Sequence, residues 1–236
     1  MKPEKIKWGM VIDLDLCIGC QACTVACKQE NNIPFVSSDQ ARMGRAIQWN
    51  QFITTVEDPL PHTKVRYLPR LCNHCEHPPC VKVCPVEATY QNPEGLTAQI
   101  YTRCIGCRFC TVACPYGARF FNWYEPEWPD EMKSALNPDV YIRTKGIVEK
   151  CTFCVQRIRA AKDKAKDEDR ELKDGDVIPA CVETCPTKAR VFGNLADPHS
   201  AVSKLSRSPR ALKLLEHLGT EPKVLYLTER TWNESL

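Results

Sequence analysis

No stretch of this 236-residue chain approaches the roughly 18 consecutive apolar residues of a membrane-spanning helix, because Asp13 and Asp15 interrupt its apolar opening. Contact with a membrane is therefore expected only through partners. The first residues, Met-Lys-Pro-Glu-Lys, lack the apolar run of a secretory signal, and no twin-arginine pair stands near them, which favours folding in the cytoplasm. Also missing are a glycine-rich phosphate loop, a paired acid and base, and a nucleophile with a neighbouring base, so no substrate chemistry is expected on this chain. Histidine is scarce. His74 and His77 sit close to cysteines, where a structural or exposed role is preferred over a tuning one, and His62, His199 and His217 form no recognisable site.

What is abundant is cysteine. Against an ordinary background of 43% hydrophobic and 26% charged residues, there are sixteen cysteines. Cys17, Cys20, Cys23 and Cys27 form C-x2-C-x2-C-x3-C, and Cys104, Cys107, Cys110 and Cys114 repeat it with Pro115 directly after. Cys72, Cys75, Cys80 and Cys84 give C-x2-C-x4-C-x3-C before Pro85, and Cys151, Cys154, Cys181 and Cys185 give C-x2-C-x26-C-x3-C before Pro186. None is left over. Disulfides would leave this periodicity unexplained. Zinc shares the C-x2-C pairs, but a third cysteine at the same interval and the C-x3-C-P ending belong to the bacterial ferredoxin run. The spacing therefore points to 4Fe-4S clusters, four in number.

A tight loop with thiolates three residues apart can wrap three vertices of a cubane; the fourth ligand comes from a partner run, so clusters come in interlocked pairs. Nineteen residues separate Cys84 from Cys104, against forty-four between Cys27 and Cys72 and thirty-six between Cys114 and Cys151. The middle runs therefore form one ferredoxin unit, and the first and last pair around it, bringing the chain's ends together. Cys-Pro-x-x-Ala recurs from Cys84, Cys114 and Cys185, the latter two continuing Ala-Arg-x-Phe, whereas Cys27 is followed by Lys28.

The formal charge of +3 counts cysteine as neutral. Four oxidised clusters with their thiolates contribute about −8, bringing the loaded protein to roughly −5. No nucleic-acid partner follows from the apparent basicity.

The expected architecture is α+β: short strands at Trp8–Leu14, Thr97–Tyr101 and Gly146–Val148 lead into cysteine runs, and the segment with Trp49, Phe52, Ile53 and Val56 adds covering strands. Residues 1–30 with 146–192 make a discontinuous first ferredoxin-like module, 31–71 a covering linker, 72–145 the second module, and 193–236 a C-terminal docking tail. Gln156–Asp176, with Lys162, Asp163, Lys164, Lys166, Asp167, Glu168, Asp169 and Arg170, reads as a solvated helix. In the tail, Leu205, Leu212, Leu215 and Leu218 recur at helical spacing before Gly219, and Lys223–Leu227 reads as a strand.

Four runs in this order, with the x4 gap in the second and the long gap in the fourth, resemble the four-cluster iron-sulfur subunits of the DMSO reductase superfamily over Val11–Phe192. Lys5 to Asp13, Val148-Glu149-Lys150-Cys151-Thr152-Phe153-Cys154 and Leu218-Gly219-Thr220 look closest to its menaquinone reductase, alternative complex III and polysulfide reductase branch. The resemblance implies the ligand sets: Cys17, Cys20, Cys23 and Cys185 for cluster 1; Cys27, Cys151, Cys154 and Cys181 for cluster 2; Cys72, Cys75, Cys80 and Cys114 for cluster 3; Cys84, Cys104, Cys107 and Cys110 for cluster 4. It further implies an electron-transfer role in a respiratory oxidoreductase complex, between a large molybdopterin-type catalytic subunit on the cluster 1 side and an integral membrane, quinone-reactive subunit on the cluster 4 side. A cytochrome subunit is a further candidate partner. The expected location is peripheral on the bacterial inner membrane, with the periplasmic face favoured. The alternatives are a freestanding polyferredoxin and a zinc-stapled structural protein.

Overall fold

The computed structural model describes residues 6–57 and 64–229; His62 and the first five residues, with Lys5 of the opening motif, lie outside them. In chain order the elements are β1 (Trp8–Asp13), α1 (Ala22–Glu30), α2 (Ser38–Arg42), β2 (Asn50–Glu57), β3 (Lys64–Leu71), α3 (Pro79–Lys82), β4 (Thr89–Gln91), β5 (Thr97–Gln99), α4 (Phe109–Val112), β6 (Phe120–Phe121), α5 (Asp130–Lys133), β7 (Val148–Glu149), α6 (Val155–Asp167), α7 (Ala180–Glu183), β8 (Arg190–Asn194), α8 (Ala201–Ser206), β9 (Ala211–Leu212) and β10 (Val224–Leu227). This mixture of short helices and small sheets is the α+β class. Among the described residues no helix is long and apolar enough to cross a membrane.

The helices that carry the C-x3-C cysteines are short for a reason written beside them. α3, α4 and α7 have four residues each, and in each case the chain reaches Cys-Pro two or three residues later, where proline bars helix at the residue before it. Cys27 has Lys28 after it instead, and α1 runs on for nine residues, to Glu30. After each Cys-Pro the residue before alanine adopts a left-handed conformation, with φ of 50° at Glu87, 56° at Gly117 and 54° at Lys188, and a strand follows. The repeated sequence is thus one repeated turn.

Chain ends meet in a four-stranded sheet of order β8-β1-β10-β9. β1 pairs antiparallel with β8, Trp8 opposite Asn194, and parallel with β10, Met10 opposite Val224. The alternation of β1 divides its side chains between two cores. Trp8, Met10 and Ile12 pack with Val224, Tyr226 and Phe192 on the cysteine side, while Val11, Leu225 and Leu227 lie under Val202 of α8. The expected covering strands are the eight-residue hairpin β2–β3, whose Leu68 and Leu71 are buried in the larger core.

Two expectations need adjustment. The helical spacing of the tail leucines is not one helix: α8 ends at Ser206, Leu212 lies in β9, Leu215 has a φ of 49° and Leu218 lies in a 3-10 turn. Pro209 explains the break, since it disfavours helix at Ser208 and cannot donate a backbone bond. The charged insertion is helical only to Asp167, and it is not wholly solvated, because Lys162 pairs with Glu94 and Arg157 with Glu30 and Glu183. The expected strand at Lys223–Leu227 is β10, which packs on the chain's own β1.

Candidate metal centres

None of the sixteen cysteines is in a disulfide, and the fold gathers them. The loops at Cys17–Cys27 and Cys104–Cys114 differ in only two positions, Gln21 and Ala22 against Arg108 and Phe109. They fold alike: Gly19 and Gly106 both have a φ of 69°, and Gln21 and Arg108 have φ of 60° and 62°. Glycine is required here twice over. A Cβ at Gly19 would stand 2.7 Å from the Tyr67 ring, and one at Gly106 would collide with the Gly146 carbonyl.

Within the folded chain Cys17 faces Cys23 and Cys185. Cys27, fully enclosed, faces Cys151, Cys154 and Cys181. Cys75 faces Cys72, Cys80 and Cys114, and Cys110 faces both Cys80 and Cys104. Cys20 and Cys107 are exposed and Cys84 is half-buried, on the loops that carry their neighbours. Three further approaches link these sets: Cys181 to Cys23, Cys151 to Cys72, and Cys110 to Cys80. Taken in turn, they connect the sets one to the next, from Cys17 to Cys104.

Burial is the main influence on these thiols. It pushes Cys27 and Cys151 well above the ordinary thiol range, with neighbouring cysteines adding to it, and raises Cys75 to about 12. At Cys84 and Cys185 burial also works upward, but backbone N–H groups of the Cys-Pro turn, with the Thr187 hydroxyl at Cys185, outweigh it and hold the thiols below their usual value. Crowded thiols driven toward the neutral form need a cation at their centre to become thiolates.

The donors around the sulfurs suit such a cation-centred cage. Asn50 donates from Nδ2 to Cys23 Sγ at 3.1 Å, Arg119 to Cys80 Sγ at 3.2 Å, and the Phe153 and Val148 N–H groups to Cys151 and Cys104 Sγ at 3.4 Å each. Asn31 reaches Cys27 and Cys154 Sγ more weakly, at 3.7 and 3.9 Å. Among the described residues no three cysteine, histidine, aspartate or glutamate side chains converge to hold a single metal ion. A zinc site would bring its sulfurs to about 2.3 Å from one point. The sixteen cysteines fit four 4Fe-4S clusters.

His74 is fully buried, stacks on Phe153 at 3.9 Å and accepts the Thr97 N–H at Nδ1. Burial, with Lys150 and Lys223 nearby, keeps it well below the usual histidine range, hence neutral. His77, His199 and His217 are at the surface.

The cysteine pattern alone did not reveal the buried cations. Arg119, Lys150 and Arg190 are 6%, 0% and 4% exposed, and among the described residues none forms an ion pair with a carboxylate. For the two arginines a signal existed: they are the arginines of the repeated Cys-Pro-x-x-Ala-Arg-x-Phe. Lys150 carried no signal beyond adjacency to Cys151.

Comparison with known proteins agrees with this chemistry. Models described as 4Fe-4S dicluster domain match residues 16–88 and 103–189, and residues 63–130. The chain is 49% identical to the menaquinone reductase iron-sulfur cluster-binding subunit of Nitratidesulfovibrio vulgaris, over 98% of this chain and 92% of that one. It is 40% identical to the Hdr-like menaquinol oxidoreductase iron-sulfur subunit 1 of Archaeoglobus fulgidus, over 94% and 84%. It is also 38% identical to the arsenate respiratory reductase iron-sulfur subunit of a Shewanella species, over 94% and 96%.

Proposed function

Because the chain belongs to the 4Fe-4S dicluster family of iron-sulfur electron-transfer subunits, we propose that it is the wire of a quinone-linked respiratory complex, joining a large molybdopterin-type catalytic subunit to an integral membrane, quinone-reactive one. The proposal includes the four ligand sets named above and their division into two modules, residues 1–30 with 146–192 and residues 72–145. The observation that carries it is the succession of thiol sets: Cys17, Cys23 and Cys185, then Cys27, Cys151, Cys154 and Cys181, then Cys72, Cys75, Cys80 and Cys114, then Cys104 and Cys110. Pairing of β1 with β8 supports the discontinuous module, since it joins the flanks of the first and last runs.

Each bound cluster supplies a one-electron couple. The protein's part is to hold successive cages side by side, to keep water from the inner ones and to leave only the ends open. Cys27, Cys151, Cys154 and Cys181 are all buried, whereas Cys20 and Cys107 reach the surface. Each open end has an apolar collar: Leu16, Ile18 and Val25 about Cys20, and Ile105, Phe109 and Val112, the last 87% exposed, about Cys107. Collars of this kind suit partner subunits that bring a redox centre close. The Cys20 end is assigned to the catalytic partner and the Cys107 end to the membrane partner, the complex lying on the periplasmic face.

Purification of the complex from its native membrane tests this. Stable association with a large subunit and a multi-spanning membrane subunit is expected, and Phe109→Asp with Val112→Asp should release the membrane subunit alone. Recovery of a brown, four-cluster chain with no partners would instead mark a freestanding carrier.

A further inference from the structure

Arg190, Lys150 and Arg119 are each buried beside cysteines of the thiol sets. The Arg190 guanidinium faces Cys181, Cys23 and Cys17, which belong to clusters 2 and 1. Lys150 donates from Nζ to the Cys151 carbonyl at 2.8 Å, beside cluster 2, and faces Cys80 of cluster 3. Arg119 faces Cys80 and Cys72 of cluster 3 and Cys110 of cluster 4. Each of the three gaps between successive clusters thus holds one buried cation.

Their protein partners are neutral. Arg119 donates to Thr89 Oγ1 at 3.1 Å, Gln99 Oε1 at 3.2 Å and Cys80 Sγ. Arg190 donates to Asn50 Oδ1 at 2.8 Å and touches Met10 Sδ. By contrast, the buried Arg143 and Lys223 are paired with Glu149 and Glu76. An enclosed cation without a carboxylate is strongly unfavourable unless an anion lies close by. At these three places the anions are the loaded cages on either side.

We propose that Arg190, Lys150 and Arg119 are gap cations, each stabilising the reduced state of both clusters that flank it. An electron adds negative charge to a cage that is already anionic, and a second electron on the next cage is repelled by the first. A positive charge between them favours reduction of both and weakens the repulsion. The three residues act through the clusters they separate; they are positioning residues for charge along the wire.

This rests on the ligand grouping proposed above, and the test keeps the two apart. In the full chain, anaerobically loaded, the four reduction steps are followed by EPR and assigned with one cysteine-to-serine variant per cluster. Gln99→Glu is then nearly isosteric and hands Arg119 a carboxylate without touching any sulfur. The steps of clusters 3 and 4 should both move against reduction by roughly tenfold, which is about 59 mV for one electron, with clusters 1 and 2 unmoved. Lys150→Met should move clusters 2 and 3 in the same sense. If only one flanking cluster moves in each variant, or neither does, the gap-cation proposal is overturned. The grouping fails separately if Cys185→Ser and Cys20→Ser alter different steps.

Discussion

The substitution Arg143→Met isolates the best-enclosed ion pair among the described residues. Arg143 donates from Nε to Glu149 Oε2 at 2.6 Å, and the two side chains are 1% and 0% exposed. Glu149 also accepts from Trp49 Nε1 at 3.0 Å and Asn122 Nδ2 at 3.1 Å, while Arg143 donates to the Tyr141 and Asn32 carbonyls at 2.8 and 3.0 Å. The pair therefore ties residues 32 and 49 to β7, next to Lys150 and Cys151. Breaking a buried pair costs about 3–5 kcal/mol. Trp49 and Asn122 continue to solvate the carboxylate, each with a bond worth about 1.5–3 kcal/mol, so the lower end applies. About 3 kcal/mol is a factor of over 100 in stability. Unfolding of a cluster protein is read as a rate, here the bleaching of visible absorbance in urea under anaerobic conditions. Arg143→Met should bleach between about tenfold and 100-fold faster, depending on how much of the pair survives in the transition state. Adding Glu149→Gln should recover much of the loss, because the orphaned charge is gone. A single variant within threefold of the parent, or a double variant no slower than the single, would refute the reasoning.

Gly106→Ala should cost the protein cluster 4 selectively, since the added methyl meets the Gly146 carbonyl at a backbone already at positive φ; iron analysis should show a loss of about a quarter. Asn50→Leu removes the donor to Cys23 Sγ and should make cluster 1 harder to reduce by a fewfold factor, seen in an EPR-monitored titration; an unchanged step would show that the bond is silent. Removing the clusters with a chelator and oxidant should unfold the chain, because Arg119, Lys150 and Arg190 would be left buried without counter-charge; retained far-UV circular dichroism and a sharp thermal transition in the iron-free chain would contradict this.

The centres were more legible in the sequence than their surroundings. Thiolate spacing follows from how a loop wraps a cubane, so the sixteen candidate ligands stand out by their intervals alone, and a proline follows three of the four runs where the short helices stop. The tail was less legible. Its leucines fall at helical intervals, yet Pro209 cuts the helix and β1 recruits Val224–Leu227 as a parallel strand, a long-range pairing that no local pattern encodes. Lys150 illustrates the same limit: a lysine beside a cysteine reads as a surface charge, and only the fold shows it enclosed between two thiol sets. Arg119 and Arg190 stood in a visible repeat, but the repeat alone did not say that their charge faces inward.

Combined iron and acid-labile sulfide analysis of the anaerobically purified full chain tests the central claim most directly. Four cubanes on sixteen cysteines predict about 16 iron and about 16 sulfide per chain. About four zinc ions and no sulfide would contradict it.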